Sequence, residues 1–341
     1  MIEMSSPTVE LAAPFTLYLA PLKGLTDAVF RSVYGAFFTG LDCAVTPFLT
    51  TVEGFKVKPS HLKEVLPECN RRMAIIPQVL SKSADDFIAL AQALFDLGHS
   101  RINWNLGCPF PMVARKQRGS GLLPYPEAID GFLERTLAAI PNRLSIKLRL
   151  GRFKPDEIFC LLPVLNRYPI EALIIHPRTG VQMYGGVPDL AAFEKCLAAT
   201  HHPVVYNGDI VCPADFERLR ARFPGLSAWM VGRGVLIDPF LPAALKAVPF
   251  AGERLAHFRR FHDALFEAYG RILKGAHLVD KLKGFWTYFA RGFPEGDRIR
   301  KQVHKAHSIQ RYRDAVEAFF DDEACRQTTA SPAPQVAACA R

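Results

Sequence analysis

The chain contains the stretch Asn103-Trp104-Asn105-Leu106-Gly107-Cys108-Pro109, which ends a short run of alternating apolar residues. Alternation at positions 102, 104 and 106 predicts a β-strand that stops at the Gly-Cys-Pro turn. One thiol therefore lies just beyond a strand end, where α/β enzymes place their chemistry. A cysteine can also simply fill a turn, so the other strand ends decide how Cys108 is interpreted.

Similar apolar runs recur from residue 16 to about residue 235, with helical segments between them. The predicted strands are 17–20, 42–47, 74–79, 101–106, 144–149, 171–176, 203–207 and 228–232. The segment 84–95 carries one apolar stripe, as an amphipathic helix does. Eight such β-α units predict a (β/α)8 TIM barrel. A doubly wound open sheet is the alternative, but the chain has no G-x-G-x-x-G fingerprint.

Composition changes along the chain and predicts four segments. We expect a flexible arm at 1–14, a barrel at 15–245, a smaller C-terminal helical domain at 246–325 and a disordered Thr/Ala/Pro/Ser/Gln-rich tail at 326–341. Of the net charge of +9, the part between Arg271 and Arg313 contributes +8, from eleven Lys/Arg against three acids. This concentration indicates a polyanionic partner, either nucleic acid or an anionic membrane surface, with an unpartnered basic face as the alternative. We expect most aromatic residues of this segment to pack between its helices.

Other classes are disfavoured by what the sequence lacks. The sequence contains no run of about 18 uncharged apolar residues, so no membrane span is predicted. The first 14 residues do not have the pattern of a secretory signal, so we expect a cytoplasmic protein. The eight cysteines are scattered without a C-x-x-C pair, so we expect no metal site. We expect a monomer.

Polar residues stand at the other predicted strand ends. They are Gln78, Asn105, Lys147 with Arg149, His176, Asn207-Gly208-Asp209 and Gly232-Arg233-Gly234. Glycines after strands 7 and 8 let backbone N–H groups approach an anion, which predicts a phosphate site, although both motifs also form ordinary turns. A lysine that points into a barrel needs an anionic partner, either a cofactor or a carboxylate.

Taken together, these motifs resemble the flavin-dependent tRNA dihydrouridine synthases over roughly residues 15–240, and more loosely over the helical segment. The matching segments are 20–27, 105–109, 119–123, 147–151, 176–179 with Gln182 and Tyr184, 207–210, and 231–234.

The resemblance implies reduction of the C5–C6 bond of a uridine in tRNA to 5,6-dihydrouridine, with NADPH (or NADH) reducing FMN. The FMN ligands it implies are Pro21, Gln78, Lys147, His176, Asn207, Gly208, Asp209, Gly232 and Arg233. It implies that Cys108 is the general acid that protonates C5, while reduced FMN gives hydride to C6. Asn105 and Arg178 would contact the uracil, with Tyr184 nearby, and the base would have to leave the RNA stack.

Two stretches depart from the family pattern. Asn103 stands where an acid is common, and Phe110-Pro111-Met112 stands where a lysine is usual, so Lys116 and Arg118 are candidate substitutes. Three alternatives stay open: an FMN-dependent oxidoreductase of a free pyrimidine (dihydroorotate or dihydropyrimidine type), a dihydrouridine synthase acting on another RNA, and an RNA-binding protein without catalysis. The basic helical segment argues against the first of these, and the retained thiol and cations argue against the last.

Overall fold

The computed structural model of the chain describes residues 14–54 and 56–329. Its strands pair in parallel in one ten-stranded sheet, ordered β3-β5-β6-β7-β8-β9-β10-β1-β2-β4. The strands are β1 Thr16–Leu19, β2 Cys43–Val45, β3 Leu49–Thr50, β4 Ile75–Ile76, β5 Gln78–Leu80, β6 Arg101–Leu106, β7 Arg143–Gly151, β8 Leu173–Thr179, β9 Val204–Asn207 and β10 Ala228–Val231.

The third predicted strand is split at Pro77, and this split closes the barrel. Proline has no N–H, so pairing with β2 ends at Ile76, and the next donor, the Gln78 N–H, bonds Thr46 Oγ1 at 3.1 Å. The second half then pairs with β3 and β6. Because one residue joins the two halves, the chain itself connects the two ends of the sheet. The predicted (β/α)8 barrel is confirmed, with β3 as a short addition.

Helices follow the strands and cover the outside of the barrel. In this part of the chain they are α1 Ala28–Phe37, α2 Pro59–Leu62, α3 Ala84–Asp96, α4 Pro111–Ala114, α5 Pro126–Leu137, α6 Glu157–Leu165, α7 Leu190–Ala199, α8 Pro213–Arg222, α9 Arg233–Ile237 and α10 Leu241–Leu245. The predicted amphipathic helix at 84–95 is confirmed as α3. The Ser83 hydroxyl caps it by accepting the Asp86 N–H.

Strand parity separates two apolar cores. The larger core lies between sheet and helices and holds alternate residues such as Trp104, Leu106 and Leu148. A small inner core fills part of the barrel with residues of the opposite parity, among them Ile174 and Met230. On β5, β6 and β7, the inward-facing residues near the carboxyl ends are polar instead. They do not join the inner apolar core and line a cleft.

The segment after the barrel is helical, as predicted, in α11 Arg254–Gly270, α12 Gly275–Phe289, α13 Gly296–Lys305 and α14 Ile309–Thr329. Its aromatic side chains mostly pack, as expected: Phe285 stacks on Phe30 of α1 at 5.6 Å, and Trp286 is fully buried. The sequence predicted disorder from residue 326 onward, but α14 continues to Thr329, so the predicted boundary of the tail is wrong. The rest of that tail, and the arm up to residue 13, lie outside the described residues. No helix in the described part is long and apolar enough to cross a membrane.

Candidate active site

The carboxyl ends of the strands surround a cleft with about 920 Å³ of empty space, including the open solvent at its mouth. Every site residue predicted from the sequence, except Arg178, lines it. These residues are Pro21, Gln78, Asn105, Cys108, Lys147, His176, Tyr184, Asn207, Gly208, Asp209, Gly232 and Arg233. The sequence interpretation missed Lys23, Phe48, Phe110 and Arg149 as site residues, although they also line the cleft. Arg149 could have been found by parity, since it is the next inward position after Lys147.

Cys108 is held in a rigid turn by its neighbours. Asn105 Oδ1 accepts the N–H groups of Gly107 (3.1 Å) and Cys108 (2.9 Å). The Cys108 carbonyl accepts both the N–H and the hydroxyl of Ser120, each at 3.0 Å. Gly119 has φ +58°, and a Cβ there would lie 2.8 Å from Cys108 Cβ. The 119–123 motif is therefore a support for the thiol loop.

The thiol of Cys108 is kept in its acid form. It is only 7% exposed, and this burial raises its pKa, while the nearby cations Lys23, Arg149 and Lys147 oppose the rise without cancelling it. A thiol with a raised pKa carries its proton at neutral pH. Cys108 is therefore suited to give a proton rather than to act as a nucleophile.

Buried amides fix the wall beside the thiol. Gln78 Nε2 donates to Asn103 Oδ1, and Asn105 Nδ2 donates to Gln78 Oε1, both at 2.7 Å. Asn103 Nδ2 in turn donates to Ser145 Oγ at 2.9 Å. Asn103, one of the two departures from the family pattern, is thus fully buried and fastens the amide of Gln78. Each of these hydrogen bonds uses one N–H of an amide, so Gln78 and Asn105 each keep a second donor for a ligand.

Lys147 brings an ammonium into the cleft. Burial, followed by the positive charge of Arg149, lowers its pKa to about 7, and no carboxylate contributes. Within the described residues its ammonium makes no ion pair, so the alternative of a lysine paired with a carboxylate is not what the structure shows. A half-buried cation without an ion-pair partner favours binding of an anionic or electron-rich ligand.

The ends of β9 and β10 form a corner in which the Arg233 guanidinium pairs with Asp209 Oδ1 at 2.5 Å. A Cβ at Gly208 would lie 2.3 Å from the Tyr206 hydroxyl, so only glycine fits there. Gly232 and Arg233 follow β10 at the start of α9, where the first N–H groups of a helix have no carbonyl partner within the helix. The cleft as a whole is lined by four Lys/Arg side chains and by one carboxylate, that of Asp209. This arrangement is suited to a phosphate.

Arg178 is buried and does not line the cleft, and its predicted contact with a substrate base stays a prediction. Its guanidinium is 1% exposed and bonds both carboxylate oxygens of Asp209, at 3.0 and 2.6 Å. The same group donates to the carbonyls of Gly185 (3.1 Å) and Gly186 (2.8 Å). It also donates to His176 Nε2 at 3.1 Å. With its donors occupied by protein atoms, Arg178 positions the site.

The contact with Arg178 defines the tautomer of His176. A guanidinium can only donate, so His176 Nε2 accepts and the ring proton lies on Nδ1. Burial, with the positive charges of Arg149 and Lys147 next, lowers the pKa of His176 well below its usual value. The imidazole is therefore neutral and offers an N–H to the cleft.

Tyr184 stands at the mouth of the cleft between two arginines. The guanidinium carbons of Arg149 and Arg233 lie 5.5 and 5.2 Å from its ring centroid. Arg149 is held by its hydrogen bonds to the carbonyls of Gly107 (3.0 Å) and Thr179 (2.8 Å). Arg149 thus occupies the lining position that the sequence interpretation gave to Arg178.

Asp27, the acid of the 20–27 motif, joins the barrel to the helical segment. Its Oδ1 accepts the N–H of Phe30 at 3.1 Å and the hydroxyl of Tyr269 at 2.6 Å, and its Oδ2 accepts Lys281 Nζ at 2.5 Å. Lys281 also donates to the carbonyl of Gly24 at 2.8 Å. This contact fixes the loop that carries Lys23 into the cleft. Among the described residues, no cluster of three or more His, Cys, Asp or Glu could hold a metal ion, and the expected absence of a metal stays a prediction.

Comparison with known proteins gives the family. A family model described as dihydrouridine synthase matches residues 18–323. A probable tRNA-dihydrouridine synthase of Rhodobacter capsulatus is 29% identical over 259 residues, covering 75% of this chain and 79% of the relative. A tRNA-dihydrouridine(16) synthase of Cupriavidus necator is 28% identical over 312 residues, covering 88% and 94%. Among solved structures, the old yellow enzyme homologue of Zymomonas mobilis has a TM-score of 0.51 at 12% identity, covering 72% of this chain and 94% of that chain, which supports the barrel fold alone. The chain belongs to the dihydrouridine synthase family.

Proposed function

We propose that this protein is an FMN-dependent enzyme that reduces a uridine in tRNA to 5,6-dihydrouridine, using NADPH or NADH as reductant. The observation that carries the proposal is the meeting of a protonated thiol, an unpaired ammonium and a phosphate-sized corner in one cleft. Both relatives described above are named as tRNA-dihydrouridine synthases, which supports the choice of tRNA.

The residues of the cleft fit FMN. The corner formed by Asn207, Gly208, Gly232 and Arg233 would hold its phosphate, since it combines close backbone approach with positive charge. Lys147 would lie near the electron-rich edge of the flavin ring, because its ammonium has no carboxylate partner. The other proposed ligands are Pro21, Gln78, His176 and Asp209. When bound, FMN supplies the hydride that is added to C6 of the uracil.

Cys108 would supply the proton that completes the reduction. Addition of hydride at C6 leaves negative charge on C5 and the adjacent carbonyl, and the thiol proton then goes to C5. Burial keeps that proton on the sulfur until it is needed.

Asn105, Arg149 and Tyr184 would bind the uracil. Asn105 keeps one free amide N–H, and Arg149 lines the cleft next to the Tyr184 ring. A guanidinium close to the uracil carbonyls would stabilise the charge that develops during hydride addition. We assign this role to Arg149 and a positioning role to Arg178.

We further propose that residues 15–245 form the catalytic domain and that the basic helices within 246–325 grip the RNA backbone. The enzyme would act as a cytoplasmic monomer, without a metal ion. A membrane partner is not part of the proposal, since tRNA accounts for the positive charge.

Mass spectrometry of RNA tests the reaction. We expect tRNA from cells with the gene to carry two additional hydrogen atoms at one uridine that is unmodified in cells without it. We also expect the purified protein to be yellow, with the absorbance of FMN. A change in ribosomal RNA with unchanged tRNA would support the other-RNA alternative. If the purified protein instead reduced a free pyrimidine to a dihydropyrimidine and all RNA stayed unchanged, the free-pyrimidine alternative would replace the proposal.

The Cys108→Ala variant tests the acid. It should keep bound FMN and its reduction by NADPH, but lose about 100-fold or more of turnover on tRNA, the usual contribution of a general acid. Because the pKa of Cys108 is raised, wild-type turnover should stay level through neutral pH and fall only on the alkaline side, as the thiol loses its proton. Unchanged turnover in Cys108→Ala would remove Cys108 from the mechanism.

A further inference from the structure

Four apolar side chains stand exposed at the mouth of the cleft. Phe110, Met112, Phe153 and Val181 are 45%, 82%, 62% and 51% exposed. Met112 lies in the short helix α4 and the other three in the loops that follow β6, β7 and β8, and Phe110 also lines the cleft. We call these four residues the mouth platform. Large exposed apolar side chains grouped beside a binding site indicate a contact surface.

Arg152 ties the three loops of the platform together. Its Nη1 donates to the carbonyl of Pro109 at 3.1 Å, next to Phe110, and to the Ser120 hydroxyl at 3.3 Å. Its carbonyl accepts the N–H of Val181 at 3.0 Å. Arg152 therefore holds together the segments that carry the mouth platform, beside the loop of Cys108.

Phe153 is presented on a turn that is rigid before any ligand binds. The Glu157 carboxylate accepts three successive backbone N–H groups, from Arg152 (2.7 Å), Phe153 (2.9 Å) and Lys154 (2.8 Å). The aromatic ring on this turn is mostly exposed, so the turn does not serve to pack Phe153 into the core. Because the backbone that carries the ring is already held in place, little backbone entropy is lost when a base stacks on it.

Positive charge surrounds the mouth platform. The guanidinium carbon of Arg152 lies 5.7 Å from the Phe153 ring centroid. Lys154, which follows Phe153 in the chain, and Arg115 and Lys116, which follow α4, are exposed and make no ion pair with any residue that the structure describes. Aromatic rings interleaved with unpaired cations are typical of surfaces that bind single-stranded nucleic acid.

We infer that the mouth platform binds the nucleotides next to the target uridine, with an unstacked neighbouring base lying on Phe153. The inference rests on the proposed function, because moving a uridine out of its stack also frees a face of each neighbouring base. The continuity of Phe110 with the cleft places the platform where those neighbours must lie. The cationic surroundings favour RNA over an apolar protein segment.

Binding of a defined RNA to the FMN-loaded full-length enzyme tests the inference. The probe is a single-stranded heptamer with a central uridine and 2-aminopurine on each side, whose fluorescence reports stacking. Phe153→Ala should weaken binding by about fivefold or more, the lower range for one base stacked on an aromatic ring. Phe153→Trp should restore it. The matched control is Phe95→Ala, which removes a ring that is 40% exposed at the far end of α3, near the opposite end of the barrel.

A second probe, with abasic sites in place of the two neighbours, separates stacking from general effects. It should bind wild-type enzyme as weakly as Phe153→Ala binds the first probe, and the variant should show no further loss. Reduction of bound FMN by NADPH should be the same in Phe153→Ala and wild type. If Phe153→Ala binds the first probe as wild type does, or loses as much affinity for the abasic probe, the inference is overturned. Its failure is distinct from failure of the proposed function, which is measured by dihydrouridine formation in wild-type reactions with bulk tRNA.

Discussion

At the scale of single residues, Lys147 shows a conflict between stability and binding. Its surroundings hold a cation away from water, with Arg149 close by and without a carboxylate, and lower its pKa to about 7. Such a site costs folding free energy in the absence of a ligand and favours an anionic ligand when one is present. This is the pattern expected of a residue kept for function.

Replacement of Lys147 by methionine should therefore stabilise the flavin-free protein while weakening its binding of FMN. We expect Lys147→Met to raise the melting temperature of the flavin-free protein by about 1–2 °C, which corresponds to roughly 1 kcal/mol for a chain of 341 residues. The folded pKa is depressed, so wild-type stability rises as pH increases from about 7 to 10.5, and the advantage of the variant should shrink over that window. Thermal scans at several pH values and FMN fluorescence titrations measure both effects.

The exposed lysine of the same cleft provides the control. Lys23→Met removes the charge of an exposed lysine. The variant should therefore change the stability of the protein by no more than about 0.5 kcal/mol, as surface substitutions usually do. If Lys147→Met binds FMN as tightly as wild type does, Lys147 is not a flavin ligand.

At the scale of elements, the loop after β8 depends on one buried arginine. Arg178 connects the ends of β8 and β9 through Asp209, and it holds the loop at Gly185 and Gly186. Lysine cannot reproduce the planar fork of these bonds. Arg178→Lys keeps the positive charge opposite Asp209 but leaves several buried acceptors without a donor, so it should destabilise the protein by about 1–3 kcal/mol. It should also weaken FMN binding, because Asp209 and His176 lose part of their support.

Urea unfolding and FMN titration distinguish this role from direct contact with the uracil. A direct contact would change only the KM for RNA and leave stability and FMN affinity as in wild type. The matched control is Arg222→Lys, which alters an exposed ion pair with Glu194 and should change stability by less than about 1 kcal/mol.

The sequence allowed the barrel and most of the cleft to be predicted because strand parity is a local property. Once β6 and β7 are recognised, the two-residue period places Asn105 and Lys147 on one inner wall. Arg178 has the same parity as His176, but a long side chain can turn toward a partner on the next strand, and no periodicity reports that Asp209 is there. The break at Pro77 was missed for a similar reason, since which neighbour each half pairs with is a tertiary fact.

At the scale of the whole molecule, the positive charge of the helical segment is only partly compensated. Four of the eleven cations between residues 271 and 313 form ion pairs, namely Lys281, Lys283, Arg298 and Arg300. The other seven are exposed and make no ion pair within the described part of the chain. They are Arg271, Lys274, Arg291, Lys301, Lys305, Arg311 and Arg313.

Composition predicted this charged segment and the packing of its aromatic residues, because both depend on residue type alone. It did not predict how the segment joins the barrel. The contact of Asp27 with Tyr269 and Lys281 brings together residues more than 240 positions apart. The same contact holds the basic helices against the loop that carries Lys23 into the cleft.

The salt dependence of RNA binding tests whether the uncompensated cations contact phosphates. Lys301 and Lys305 lie one helical turn apart on α13 and are both exposed. Replacing both by glutamine should weaken binding of bulk tRNA and make the slope of log affinity against log salt shallower by about 0.7–0.9 for each phosphate that the variant no longer neutralises. Replacing Lys195 and Arg71, two exposed cations of the barrel, removes the same charge and should leave the slope unchanged. Equal slopes in wild type and the α13 variant would exclude this helix from the interface. An equal decrease of the slope in both variants would mean that the RNA is attracted by the overall charge of the protein and not by a binding face on the helical segment.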